Sequence, residues 1–372
     1  MKNYFPVLFL LLLATACGTS SKDKAVGGTE KSVRVKYAEN FKVLDKDGYR
    51  ELQILDPEKG KTEQTYALVK RGSKVQTPAG MIRVEVPLQS IIALSGTHIG
   101  MIDKINCAAR ITGISSHLYL HNSTVKRNFE EGKVLEYADF AQLNPERILR
   151  TPARVIVFSG FGQSPPNEDK LRKLDIQCIP NYDWRETHPL GKAEWIKFFG
   201  YLLGREAQAQ IYFDKVEKSY LELKKSAAES YKTAEKPTVF SGSLVGDTWY
   251  MPAGESYGAL LFRDANCAYT AAHEKGTGSV AYPLEKVLTV NQHTTFWFNP
   301  GFPSKQALLT FNPKYRFFGA LNAGKCYCYS HDMNYFWENS AIEPQEVLAD
   351  LIQILHGATP QRKLHFYRQL QE

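Results

Sequence analysis

The chain lacks an apolar run long enough to cross a bilayer. Its one sustained apolar stretch, Phe5 to Leu13, is about half of the roughly 20 residues a membrane-spanning helix requires. It also lacks a Gly-x-Gly-x-x-Gly turn and a Walker-type loop, so it carries no nucleotide fingerprint. Blocks of like charge are missing too. A formal charge of +7 spread through 23% charged residues is poor footing for nucleic acid. Cysteine is sparse. Beyond Cys17 there are Cys107, Cys178, Cys267, Cys326 and Cys328, an odd set from which no disulfide pairing follows even in an exported compartment. Cys326 and Cys328 flank one residue in strand-like text and share a face. A zinc knuckle wants another spacing and a second pair, so small buried side chains are the simpler reading.

What the chain does have begins with Lys2, the apolar run, then Ala14-Thr15-Ala16-Cys17 and Gly18-Thr19-Ser20-Ser21. This pattern predicts a secretory signal over residues 1–16. Small residues before a cysteine resemble the lipobox of bacterial lipoproteins, although Ala14 stands where leucine is commoner. The resemblance implies Cys17 as the lipid attachment site and new N-terminus, held at the cell envelope, on its periplasmic side, by acyl chains worth about 0.8 kcal/mol per buried methylene. Residues 17–31 are small and polar, the composition of a flexible linker.

Residues 32–80 alternate in short stretches separated by Asp-Gly, Glu-Lys-Gly and Arg-Gly turns, which predicts an antiparallel β-rich extension. The character then changes. Ile91 to Leu94, Ile111 to Ile114 and Val155 to Phe158 are short apolar runs that end in small polar residues and precede helix-like text, the pattern of buried parallel strands with helical crossovers. This first lobe is expected over residues 81–204. A helix over 205–234, with Ile211, Phe213, Val216, Tyr220 and Leu223 as its apolar stripe, leads to a second lobe over 235–360. That lobe has strands near Thr238 to Ser241, Thr248 to Met251, Thr295 to Phe298 and Lys325 to Tyr329. The expected fold is α/β: two Rossmann-like lobes joined by a long helix, with a β-rich N-terminal extension. In each lobe a Pro, then Glu, a basic residue and two aliphatics mark a helix start: Pro145-Glu146-Arg147-Ile148-Leu149, and Pro283-Leu284-Glu285-Lys286-Val287-Leu288.

Residues 85 to 356 resemble the periplasmic-binding family that serves ferric siderophores, haem and vitamin B12. The stretches that carry the likeness, in order and spacing together, are Val86-Pro87 leading into Ile91 to Ser95, Leu143 to Leu149, Pro189 to Gly200, Trp249 to Tyr257, and Leu284 to Leu288. The resemblance implies a monomeric receptor, not an enzyme and without a cofactor. It would capture an iron chelate, a ferric siderophore or similar, with haem or cobalamin as alternatives, and deliver it to an ABC permease and its ATPase. By position, Glu146 and Glu285 would dock against that permease, although a glutamate in a first helical turn is also explained by the helix dipole alone.

In open α/β sheets ligands bind beyond the strand carboxyl ends, and those loops hold Thr97, His98, Ser116, Tyr119, Phe161, Trp184, Arg185, Trp249, Tyr257, Arg263, Phe302, Tyr335 and Trp337. Their aromatics suit chelates and macrocycles. The basic residues among and near them (His98, His117, Arg127, Arg185, His188, Arg263, His273, Lys275 and Lys305) favour an anionic guest. Two competing motifs stand beside this reading. His117 and His121 are four apart, a spacing that on a helix grips a bare metal ion. Gly254-Glu255-Ser256-Tyr257-Gly258 fits a nucleophile elbow, with His273, His293, His331 or His356 and Asp264 or Asp332 as triad partners.

Overall fold

The computed structural model describes residues 32–33, 35–137, 143–162, 165–329, 333–357 and 362–372. The leader, Cys17, the linker, His331 and Asp332 lie outside them. None of the helices among the described residues is long and apolar enough to cross a membrane.

The alternating stretches form one sheet in sequence order: β1 (Ser32–Val33), β2 (Phe41–Lys46), β3 (Tyr49–Leu55), β4 (Thr62–Lys70) and β5 (Ile82–Val86). The period of two puts Phe41, Val43, Leu52, Ile54, Tyr66, Leu68 and Val84 on a buried face. That face is continuous with the core of the first lobe, where the Phe41 and Trp195 rings lie 4.6 Å apart. The sheet runs past residue 80, because β5 pairs in parallel with β4. Residues 82–86 therefore belong to the extension and not to the first lobe.

The first lobe contains β6 (Ile91–Ala93), β7 (Ile111–Ile114), β8 (Leu135–Glu136), β9 (Val155–Ser159) and β10 (Gln177–Asn181), all parallel in the order β10-β9-β6-β7-β8. The winding reverses between β6 and β9, which opens a crevice at their carboxyl ends. In the second lobe, β11 (Thr238–Ser241) is followed by a hairpin, β12 (Ser243–Val245) and β13 (Thr248–Pro252). The main sheet continues with β14 (Ala268–Tyr269), then β16 (Phe296–Phe298), β17 (Cys326–Tyr329) and the antiparallel edge strand β18 (Tyr367–Gln369), in the order β14-β11-β16-β17-β18. Its winding reverses between β11 and β16. The hairpin is completed by β15 (Ser279–Pro283) as a separate antiparallel sheet. Thr248 to Met251 thus lies outside the parallel series in which the sequence pattern placed it.

The helix Glu206–Ser230 joins the lobes and buries Ala209, Phe213, Val216, Tyr220 and Ala227, one stripe at helical spacing. Ile211 departs from expectation: it is 70% exposed, because its position falls on the opposite face. The preceding helix, Ile196–Leu203, ends at Gly204 with φ +65°, the left-handed C-cap that glycine adopts at least cost. All five described cysteines are free thiols, buried except for half-buried Cys328.

Candidate functional site

Parallel pairing brings the loops after β6, β9 and β10 to one edge of the first lobe. Ser95 leads the helix Gly96–Lys104, and its hydroxyl lies 3.1 Å from that of half-buried Thr97. After β9, Gly160 packs so closely on Tyr182 that a Cβ there would fall 2.5 Å from the ring. This close approach lets the Gly160 carbonyl accept the Trp184 indole N–H at 3.0 Å. Trp184 and Phe161 then pair at 5.1 Å between centroids, and the Arg185 guanidinium lies 5.2 Å from the Trp184 ring. Phe161 is 60% exposed and Trp184 39%, a solvent-facing aromatic lip. Tyr119 and Leu118, beyond β7, are also exposed.

Across from the first lobe lies the helix Met333–Asn339, which follows β17. Its backbone touches the first lobe at a point where only glycine fits: a Cβ on Gly100 would sit 1.9 Å from the Glu338 carbonyl oxygen, while one on Gly96 would make ordinary contact at 3.7 Å with that of Trp337. The Glu338 carboxylate, nearly fully buried, accepts the backbone N–H groups of His121 (2.5 Å) and Asn122 (3.1 Å). Lys104 Nζ reaches Glu343 at 2.8 Å. The carboxyl-end loops of β6 and β17 therefore face each other, and exposed Trp337 stands at this junction in edge contact with Tyr329. Tyr257 also bridges, with Lys192 Nζ 4.7 Å from its ring and its hydroxyl donating to the Ser340 carbonyl at 3.4 Å.

Several expected ligand residues are engaged by other parts of the protein. His98 is fully buried against Phe199, because the second residue past the start of its helix turns inward onto the sheet. Burial pulls its imidazole down to about 4 despite the field of Asp183. Trp249 is fully buried too. As an inward position of β13 it packs among Phe240, Trp297, Tyr315 and Phe318, and donates to the Ser241 carbonyl. Arg263, at the end of its helix, sits beside Asp264, which pairs with Lys224 and Tyr220 of the inter-lobe helix rather than facing the cleft. Ser116 caps the short turn His117–Tyr119 by accepting the Leu118 N–H. Phe302 packs half-buried on Phe311, and the Tyr335 hydroxyl meets His365.

The competing motifs are absorbed locally. His117 pairs with Glu136 at 2.6 Å and stacks on Phe129, while His121 meets the edge of Tyr335. The two are not carried on one α-helix, and no cluster of three or more metal-ligating side chains occurs among the described residues. Ser256 is the N-cap of the helix Tyr257–Asp264. Its hydroxyl donates to the Ala253 carbonyl at 2.6 Å and accepts the Ala259 N–H. Among the other motif residues, His356 stacks on Tyr231 and contacts the Ala265 carbonyl.

Glu146 and Glu285 are both exposed first-turn residues, in the helices Pro145–Ile148 and Leu284–Asn291, each leading into a central parallel strand. Glu285 carries a neighbour that the sequence pattern did not suggest: Lys314 at 2.9 Å, which lowers its carboxyl pKa. A groove of about 590 Å³ lined by Arg71, Arg83, Arg154 and Gln177 lies at the amino-terminal strand ends, away from the lip, with Arg83 tied to the carbonyls of Ser73 and Val75.

Two wound lobes, a joining helix and facing strand-end loops define a two-lobed solute receptor. The chain belongs to the periplasmic binding protein family, which matches residues 91–307. An uncharacterized lipoprotein of Methanocaldococcus jannaschii is 28% identical over 297 residues, 76% of this chain and 69% of its own length. Among solved structures, a periplasmic haem-binding protein of Pseudomonas aeruginosa aligns with a TM-score of 0.57 at 13% identity, over 75% of this chain and 96% of its own. The periplasmic vitamin B12 binding protein of Vibrio cholerae aligns with a TM-score of 0.51 at 14% identity, over 74% and 99%.

Proposed function

We propose that this chain is the lipid-anchored, extracytoplasmic binding subunit of an ABC importer and captures a metal chelate between its lobes. The observation that carries the reading is the exposed Phe161–Trp184 lip beside the winding reversal, with Trp337 at the junction opposite. Such faces enclose a large, rigid guest by apolar contact. The names of the two structural neighbours, a haem binder and a vitamin B12 binder, agree with that chemistry. The lipoprotein relative and the Ala14 to Cys17 pattern support anchoring at Cys17.

The charge of the mouth refines the expectation of an anionic guest. Arg185 has Glu58 at 3.6 Å, His117 has Glu136, His273 has Glu274 and Lys305 has Glu372, while His98 is buried. Paired cations attract an anion less than bare ones. The geometry therefore supports a metal chelate of low net charge with a broad apolar face, haem-like or cobalamin-like, over a highly charged ferric catecholate. Glu146 and Glu285 serve as the permease contacts in this reading.

The deciding measurement is native mass spectrometry with an absorption spectrum of the soluble form starting after Cys17, incubated with ferric siderophores, haem, cobalamin and zinc. A one-to-one chelate adduct supports the receptor reading and identifies the guest class. Binding of zinc alone, or labelling of Ser256 by an active-site serine probe with no chelate bound, overturns it.

A further inference from the structure

The family match begins at residue 91, after the last strand of the N-terminal sheet ends at Val86, so the family's own fold does not account for that sheet. Its position does more than cover a core. β4 crosses β10 with Tyr66 donating to the Cys178 carbonyl at 2.9 Å, and Glu63, three residues earlier, accepts the Tyr182 hydroxyl at 2.7 Å. The direction of β4 therefore carries the β3–β4 turn toward the carboxyl end of β10, where the lip stands. There Glu58 lies 3.6 Å from Arg185, and Arg185 covers the Trp184 ring.

The turn is built to hold its shape. Asp56 N–H donates to the Lys61 carbonyl and Gly60 N–H to the Asp56 carbonyl, while Asp56 Oδ1 accepts the N–H groups of both Glu58 and Lys59. Lys59 Nζ returns to Asp56 at 3.0 Å. An Asx-type turn with this many internal bonds is a preorganised element.

We propose that the β3–β4 hairpin is a wall of the ligand mouth, fixing the Tyr182–Arg185 loop through Glu63 and neutralising Arg185 through Glu58, and that it thereby selects against highly anionic chelates. This inference rests on the receptor reading above. With the hairpin in place, the carboxylates of Asp56, Glu58 and Glu63 balance the cations of Lys59, Lys61 and Arg185, so the guest meets an aromatic lip with little net charge. Without Glu58 the guanidinium is left unpaired beside the lip.

The test uses the soluble chain starting after Cys17 and three probes: a trianionic ferric tris-catecholate, haem and cobalamin. Glu58→Ala should raise affinity for the tris-catecholate relative to cobalamin by about two- to fivefold at low ionic strength, the range of one exposed ion pair, and added salt should erase the difference. A second variant replaces residues 56–61 by Asn-Gly, the two-residue turn that keeps Leu55 paired with Thr62. Because it removes two carboxylates and two ammonium groups together, it should change the preference less than Glu58→Ala does, while making Trp184 more accessible to acrylamide quenching, with the thermal midpoint close to that of the parent. If the parent binds a chelate, Glu58→Ala leaves the preference unchanged and the shortened turn leaves Trp184 quenching unchanged, the hairpin is no part of the mouth. If the parent binds none of the three, the receptor reading itself fails and takes this inference with it.

Discussion

Gly100→Ala reads the contact between the lobes directly, because the sign of its effect is diagnostic. In an open helix interior, glycine to alanine stabilises by about 1 kcal/mol. Here the new methyl would lie 1.9 Å from the Glu338 carbonyl oxygen, so the helix Met333–Asn339 must retreat by at least 1.1 Å, the difference from the 3.0 Å below which such contacts do not occur. Overpacking of this kind costs about 1–3 kcal/mol. The retreat also lengthens the two bonds from the buried Glu338 carboxylate to the N–H groups of His121 and Asn122, and hydrogen bonds to a charged group are worth roughly 1.5–3 kcal/mol each. Partial loss of both, less the helix-propensity gain, leaves a net destabilisation of about 2–4 kcal/mol. A thermal melt of the soluble form should show the midpoint lowered by about 3–6 °C, and Trp337, displaced with its helix, should weaken chelate binding. A midpoint equal to or above that of the parent would refute the close contact between the Gly96–Lys104 and Met333–Asn339 helices.

Two further predictions concern single buried side chains and a third a pair of exposed carboxylates. His98→Leu should cost little at pH 7, since the buried, neutral ring packs on Phe199 as an apolar side chain would. It should also remove an acid sensitivity: the folded imidazole titrates near 4 against 6.5 unfolded, so the unfolded chain binds more protons between those values and the parent loses roughly 3 kcal/mol as pH falls through them. Urea titrations of both proteins at pH 7 and 4 check this, and equal losses sink it. Glu186, buried and accepting N–H groups from Glu39, Asn40 and Trp195, is pushed up by burial to about 6. Its contribution to stability therefore declines by roughly 2 kcal/mol as pH rises from 4.5 to 6, and Glu186→Gln should abolish that slope and expose residues 35–40 to limited proteolysis. Reversing both charges in Glu146→Lys/Glu285→Lys should stop uptake in cells while leaving chelate affinity intact; a loss of affinity instead would end the docking role.

Much of the fold was readable because it rests on local periodicity. Val155 to Phe158 is apolar at every position since both of its faces are covered, and β2 alternates since one face is. Both patterns are set by neighbours along the chain and survive as text. The ends of strands were readable for the same reason, and Phe161 and Trp184, expected beyond them, are exposed there.

Burial of a particular side chain is another matter. Trp249 and Tyr250 are adjacent aromatics in the same strand, and only the packing of β13 onto β11 and the Phe318 loop decides that the first is core and the second exposed. His98 looked like its neighbour Thr97 in sequence but turns under the helix onto Phe199. Arg185 and Glu58 are far apart along the chain, so the pairing of that guanidinium became visible only with the extension folded against β10. The class of fold, the order of its lobes and the chemistry available at the strand ends follow from periodicity and residue type, and are legible along the chain. Which of those groups is buried, which is neutralised, and where the lobes touch depend on contacts between residues remote in sequence, which exist only in the folded chain.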